Sequence, residues 1–476
     1  LSRRYLPGSR AGGPGGAFTA DVSTYRQRTD QAHWRRGNNF LGASMSFYKK
    51  LASLQNDFAF LKKRATPVLW VGTATAVNNL LAFVVNVIAA RTLGVEGYGV
   101  LSLAFSAATL IGLIGDLGFN LSMIRLFNKH QTDPDKQSIL LGTALGVKGL
   151  LLALLAVISW PLSDFLALRL GLHSANTRLM AIAFVTGGFL FLWTYLQSYL
   201  QAYRSFKRLT AYILAYSVFR LIGLPIAYLF SPQDPLAWLL GTYTVPVLVL
   251  ILIGVVPKIG KDIASVFQQP GLALDVLKEM LQYSKWVALS GIAYTSIPYV
   301  VRFVLATRAS VEDVGIFSAG MTFTVAFSTL NTAVRAVLFP QVTALEGREA
   351  IERYLRRLVR IAPHYVGFAV LGIVSLGSLQ WVVLGEEYRQ ALPVFLITAG
   401  GFAVVVFLSL STMLIHTMMR PEIEAYIELI RVFFITIGSI LVAPSGAIGV
   451  AVVFALFMIG GTVVKLLIVR RWVNEL

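Results

Sequence analysis

The apolar residues of this chain fall in blocks of about 20, the length of helix that crosses ~30 Å of hydrocarbon at about 1.5 Å per residue. The blocks lie at 66–90, 97–119, 139–160, 177–202, 209–230, 236–257, 283–306, 314–338, 361–383, 391–416, 424–443 and 447–469. This pattern restricts the chain to one class of fold. Backbone polar groups find no partner in lipid, so each block must close its own hydrogen bonds as a helix. Composition agrees, with 56% apolar and 13% charged residues, against roughly 25% charged in a soluble domain. The expected fold class is all-α integral membrane, with about twelve transmembrane helices.

The loops between the blocks set the orientation. One set carries Arg125, Lys129, Lys136, Arg204, Lys207, Arg208, Lys258, Lys261, Lys278, Arg348, Arg353, Arg356, Arg357, Arg360, Arg420, Arg470 and Arg471. The opposite set holds Arg91, Arg169, Arg308 and Arg389. Lys and Arg concentrate on the cytoplasmic side, so both termini are expected there, in a cell (inner) membrane. Cysteine is absent, which excludes disulfides, thiolate metal sites and cysteine nucleophiles. The five histidines are scattered, with none paired at i, i+4. No metal, cofactor or nucleic-acid partner is expected.

Residues 1–44 are rich in Gly, Ser and Arg, show no apolar period, and read as a disordered basic extension. Met45 reads as a natural start, and part of the extension as an artefact of gene calling. From Phe47, apolar residues recur at Leu51, Leu54, Phe58 and Leu61, accompanied by Lys49, Lys50, Lys62, Lys63 and Arg64. That spacing predicts a helix over 45–64. It is either an amphipathic helix on the anionic cytoplasmic leaflet or a solvated lead-in.

An internal repeat divides the rest. At an offset of 216, Val84, Val85, Ala90, Val95, Glu96, Gly99 and Ser102 recur as Val300, Val301, Ala306, Val311, Glu312, Gly315 and Ser318. A second echo sets Ala211-Tyr212-Ile213 against Ala425-Tyr426-Ile427. Span 1 thus matches span 7, and span 5 matches span 11. Six spans per half is an even number, so the repeats are parallel, and substrate sites in repeat-built transporters lie between the repeats. The expected organisation is a six-helix bundle at 66–257, a cytoplasmic linker at 258–282 and a second bundle at 283–470.

Charge inside the bilayer costs roughly 2.5–3.5 kcal/mol per Lys or Arg at a helix centre and marks a functional site by default. Lys148 and Arg220 lie near mid-depth, Arg431 lies in the cytoplasmic half of span 11, and Arg302 sits close to the outer end of span 7. Arg335 and Lys465, near cytoplasmic ends, are expected to snorkel. Asp116 and Glu428 are the carboxylates available for internal ion pairs, and they are too few for all the deep cations. An uncompensated cationic interior fits a diphosphate, because Arg offers a planar fork and Lys a point charge. Asn78, Asn79, Asn86, Tyr195, Gln197, Gln201, Tyr294, Thr295, Asn331 and Thr332 line several spans. Such residues suit sugar hydroxyls and rings, and also serve as interhelical glue. The candidate binding residues are Lys148, Arg220, Arg431, Arg302, Asn78 and Asn86, with no catalytic residue among them.

Ala90-Arg91-Thr92-Leu93-Gly94 followed by Glu96-Gly97-Tyr98-Gly99 resembles the first outer loop of Wzx-type polysaccharide (O-antigen) flippases, a branch of the MATE-like MOP exporter superfamily. Asp116-Leu117-Gly118-Phe119, Val314-Gly315-Ile316-Phe317, Leu338-Phe339-Pro340-Gln341 and Leu384-Gly385-Glu386-Glu387-Tyr388 are similar to that family too, in the expected order over about residues 55–470. The resemblance implies two six-helix bundles in a V around a cationic cavity. It also implies a non-enzymatic flippase that moves a lipid-linked oligosaccharide to the outer leaflet by alternating access. Membrane lipids, and a glycan polymerase or other export machinery, are the implied partners. The alternatives are a multidrug or ion-coupled exporter of the same superfamily, which needs a membrane-embedded carboxylate, and a polytopic glycan polymerase or ligase, which needs catalytic residues on long outer loops. Two departures stand out. Val301, not an acidic residue, precedes Arg302, and span 1 has no cation before Arg91, unlike lipid II flippases.

Overall fold

A computed structural model of the protein describes residues 23–169, 175–345, 347–418 and 421–475, and the regular elements among them are all helical. The chain divides into two units, Leu1–Val68 and Leu69–Leu476. In the first, residues 1–22 of the expected disordered extension lie outside the described residues, and the backbone is helical from Ser23. The side-chain faces expected of the 45–64 helix also lie outside them.

The second unit holds ten helical stretches long and apolar enough to cross a membrane. Two of these are double. Helix α1 (Ser23–Asp116) breaks at Gly94, whose φ of 68° and ψ of −178° belong to a region essentially reserved for glycine. Its two arms on either side of Gly94 are separate crossings. The stretch Glu422–Glu475 is split into α13 (Pro421–Val442) and α14 (Gly446–Glu475) by a 3₁₀ turn at Ala443–Ser445. Ten stretches with two of them doubled make twelve crossings among the described residues, the number the apolar blocks implied.

Between these lie α2 (Phe119–Lys129), α3 (Pro134–Arg169), α4 (Ala175–Ala202) and α5 (Phe206–Phe230). Then come α6 (Pro235–Leu239), a π turn (Leu240–Thr244), α7 (Val245–Gly254) and α8 (Val256–Gln268). The second half adds α9 (Pro270–Arg308), α10 (Val311–Thr343), α11 (Arg348–Leu384) and α12 (Ala391–Thr412). The breaks at Gly94, Ser310, Gly385 and Gly446 gather at one end of the bundle, here termed the hairpin end. There Tyr388 Oη donates to the Ala90 carbonyl (2.9 Å) and the Ala447 N–H donates to Asp313 (2.8 Å). The opposite, linker end carries α2, α8 and the start of α9.

The packing repeats as the sequence does. In the first half α3 packs on α4 and α4 on α7, Asn78 of α1 bonds Ser217 of α5, and Gly187 of α4 lies against the Ala108 carbonyl. Six crossings later α11 packs on α12, α12 on α14, α9 on α13, and Gly320 of α10 lies against Ala391 of α12. The same neighbours recur, so the two six-helix halves are related as parallel repeats. They also touch each other through equivalent positions. A Cβ on Gly99 would strike the Val311 carbonyl, and one on Gly315 would strike the Val95 carbonyl. Both pairs are related by the 216-residue offset.

The apolar cores show how the halves diverge. At the hairpin end one core is shared, joining Leu103, Phe184 and Trp238 of the first half to Val301, Phe317, Phe395 and Phe454 of the second. At the linker end there are two: Met123, Leu145, Phe191 and Leu250 in the first half, and Val342, Met413, Leu414 and Val469 in the second. The halves therefore form a V joined at the hairpin end.

The linker docks on the first half. Ser138 donates to Asp262, and Lys129 donates to Glu279 at 2.7 Å. That hydrogen bond, aided by His130, holds the Glu279 carboxyl below the ordinary glutamate range. A depressed carboxylate stabilises the docked form above its unfolded pKa, and the effect is lost as pH falls through the lower, docked value. Proteolysis within 258–282 should not rise between about pH 8 and pH 5 and should rise only below the ordinary glutamate pKa of about 4.3. A rise already near neutral pH would show that this contact does not hold the linker.

Candidate functional site

A cavity of about 440 Å³ lies between the halves, walled by both arms of α1, by α5, the π turn, α9 and α10. It gathers four of the six expected residues: Asn78, Asn86, Arg220 and Arg302.

Arg220 owes its position to a proline two helices away in sequence. Pro246 has no N–H, so it cannot bond the carbonyl four residues back, at Thr242. That carbonyl lies in the π turn and accepts instead from Arg220 Nε at 3.0 Å. The guanidinium lies over the Tyr243 ring (4.5 Å) and near that of Tyr216 (5.5 Å). Its Nη2 is buried without a hydrogen-bond partner, and the residue is only 5% exposed.

Arg302, on α9, reaches across to the first half. Its Nη1 donates to Ser106 Oγ at 3.1 Å, its guanidinium lies 5.5 Å from the Tyr299 ring, and its Nε is buried without a partner. Among the described residues lining the cavity there is no carboxylate. Two cations thus face a polar, aromatic space with their charge unmet.

The rest of the lining is fixed by its own hydrogen bonds. Asn86 accepts from Tyr243 Oη (3.1 Å) and donates to the Ala82 carbonyl (2.8 Å). Asn78 accepts from Ser217 (2.9 Å), and Asn79 donates to Thr329 of the other half (3.2 Å). Tyr98 and Thr322 share a hydrogen bond across the halves at 3.1 Å.

Lys148 and Arg431 stand elsewhere. Lys148, fully buried on α3, donates to Asp116 (2.7 Å), Asn120 (3.3 Å) and the Phe191 carbonyl (3.1 Å). Arg431 Nη1 donates to both oxygens of Glu428, at 3.1 and 2.8 Å. Glu428 also binds Lys465 at 2.7 Å, and Lys465 reaches Glu424 at 2.9 Å. The expectation that the carboxylates were too few is therefore corrected for these cations. Lys465 does not snorkel, because it is 8% exposed and lies between two carboxylates.

A buried pair broken on one side costs about 3–5 kcal/mol, whereas replacing both partners is often neutral. Lys148→Met should therefore lower the thermal unfolding temperature in detergent markedly, and Lys148→Met with Asp116→Asn should recover most of the loss. If the double variant is no better than the single one, the ion pair is not what Lys148 contributes.

Tyr98, Tyr216, Tyr243, Tyr299 and Phe105 also line the cavity and were not among the sequence candidates. Two of them had a local signal. Tyr216 precedes Arg220 by four residues and Tyr299 precedes Arg302 by three, the spacings of neighbours on one helix face. Tyr195, expected as a lining residue, is instead buried, with its hydroxyl directed to the Leu141 carbonyl at 3.3 Å.

Comparison with solved structures shows the fold. The chain is similar to an inward-facing multidrug resistance MATE family transporter of the MOP superfamily, at 15% identity and TM-score 0.63, over 84% of this chain and 95% of that one. It is also similar to the lipid II flippase MurJ in an inward closed conformation, at 15% identity and TM-score 0.64, over 85% and 87%. A MOP superfamily transporter from Pyrococcus furiosus aligns at 15% identity and TM-score 0.52, over 85% and 94%. No curated protein matches the sequence. Residues 65–346 match the sequence profile described as "Polysaccharide biosynthesis protein". With more than half of its length in that match, the chain belongs to the polysaccharide biosynthesis protein family.

Proposed function

We propose that this protein is a flippase carrying a lipid-linked oligosaccharide, a polyprenyl-diphosphate glycan, from the cytoplasmic to the outer leaflet of the inner membrane. It works by alternating access and performs no covalent chemistry. The observation that carries the reading is the pair Arg220 and Arg302, both buried with unmet donors in a cavity whose described lining lacks a carboxylate. A diphosphate supplies the acceptors they lack, in bidentate geometry that suits guanidinium. The tyrosine faces and asparagine edges beside them suit a sugar. One solved protein of the same fold is named a lipid II flippase, which supports a lipid-linked cargo.

The linker end bears most of the loop Lys and Arg, so it is the cytoplasmic end, with both termini on that side. The halves separate there, so the cavity is in its loading state. Lys148 and Arg431 enter this reading as braces of their own halves, since their charge is already met. A glycan polymerase or other export machinery would take the product at the hairpin end.

The test is leaflet-to-leaflet transfer of a fluorescent polyprenyl-diphosphate sugar in proteoliposomes. Transfer should exceed that of protein-free vesicles by at least about tenfold and should be competed by unlabelled diphosphate lipid. Failure across several sugar headgroups, together with efflux of cationic drugs from the same vesicles, would establish the multidrug exporter instead.

A further inference from the structure

We infer that the apolar groove between α5 and the π-turn helix is the seat of the cargo's lipid tail. This rests on the flippase reading and adds a second subsite to it. An amphiphile whose headgroup lies in a central cavity must still keep its tail in hydrocarbon, so the tail leaves through a wall of that cavity. One wall has a matching outer face. Phe219, Ile222, Ile226 and Phe230 of α5, with Val245 and Val249 of α7, line a groove of about 330 Å³ in which every lining residue is apolar. The same two elements present Tyr216, Arg220 and Tyr243 to the cavity.

Little separates the two faces. Gly223 and Gly241 meet backbone to backbone, so that a Cβ on either would strike the other's carbonyl oxygen. Gly241 precedes Thr242, whose carbonyl holds Arg220. The headgroup cation and the groove are therefore divided by two glycines and a π turn, the kind of helix irregularity that recurs at functional sites. In this state both walls are shut: the α5 wall by the Gly223–Gly241 backbone contact, which parts to admit the tail, and a seam between α1 and α10 by Phe83 edge-on to Phe323 at 4.9 Å and by the Asn79–Thr329 bond. The groove runs from the level of Arg220 to the hairpin end of α5. It thus holds the tail in the outer leaflet once the headgroup has reached mid-depth.

The experiment compares two probes on the full chain in nanodiscs: a long polyprenyl diphosphate and geranyl diphosphate, its short water-soluble counterpart. Ile222→Trp with Ile226→Trp fills the groove. Binding of the long probe should weaken by about tenfold or more, with the short probe unchanged, and Arg220→Gln should weaken both. Long-probe binding within about twofold of wild type overturns the groove, as does equal loss of both probes. Photo-crosslinking on the unmodified protein provides a second measurement. A diazirine near the tail's headgroup end should label 219–230 or 245–249, and labelling confined to α1 and α10 overturns the proposal. If the short probe fails to bind wild type, the diphosphate reading of the cavity falls first and the groove with it.

Discussion

Arg220→Met and Arg302→Met should each cut transfer of a polyprenyl-diphosphate sugar by about ten- to a hundredfold, while lowering thermal stability far less than Lys148→Met does. The functional loss follows from removing one charged hydrogen-bonding partner of a phosphate, worth about 1.5–3 kcal/mol. The stability effect should be much smaller than that expected for Lys148, because the gains and losses nearly cancel. Arg220 meets no carboxylate in the cavity, so its removal orphans no counter-charge. What is lost is the hydrogen bond that satisfies the buried Thr242 carbonyl, about 1–3 kcal/mol, and a cation–π contact of about 0.5–2 kcal/mol. What is gained is relief from holding an Arg near mid-depth, roughly 2.5–3.5 kcal/mol on insertion scales. A cation whose loss weakens function far more than the fold is kept for a ligand. Transfer and unfolding temperature measured on the same preparations decide the matter. A variant that unfolds as early as Lys148→Met would mark Arg220 as a structural brace, and full transfer in both variants would remove the diphosphate from this cavity.

The contrast between Arg220 and Lys148 shows what depth alone could reveal. Both were singled out because charge near mid-span is costly, and that signal is the same for a ligand site and for an internal pair. The partners decide, and they come from different distances along the chain. Glu428 and Arg431 are three residues apart, so their pairing was legible on one helix face. Asp116 and Lys148 are 32 residues apart on different helices, and nothing local aligns them. The twelve crossings were legible because lipid leaves a backbone no alternative to the helix. The repeat was legible because Val95 and Gly99 recur where the halves touch, and contact with backbone limits what those positions accept. The π turn was the least accessible element. Its trace is Pro246, whose missing N–H frees the Thr242 carbonyl, but a proline in a span has many uses. Without that turn Tyr243 has no reason to face Arg220, which is why the aromatic half of the site was missed.

The smallest side chain should be enough to change the resting state of the molecule. Gly99→Ala and Gly315→Ala each add one Cβ where it would meet a carbonyl oxygen of the other half, and neither backbone can yield without moving its helix. Alanine is a better helix former than glycine by about 1 kcal/mol, so local unfolding is not the expected response. The strain falls on the seam at the hairpin end. Overpacking of this kind costs about 1–3 kcal/mol. Each 1.4 kcal/mol is about tenfold in a two-state population, so the hairpin-closed state should lose roughly five- to over a hundredfold in weight. The chain has no cysteine, so a single Thr322→Cys reports alone. Thr322 lines the cavity beside Tyr98. In the wild-type background this thiol should resist a membrane-impermeant maleimide added at the hairpin side, and with Gly99→Ala it should react. Transfer should fall by at least about tenfold, because a carrier that does not close the seam does not reload. The two glycines are repeat equivalents pressing on one contact, so the double variant should do little more than either single one. Unchanged labelling with normal transfer would mean that the hairpin contact is not a gate and that the cavity opens by another seam.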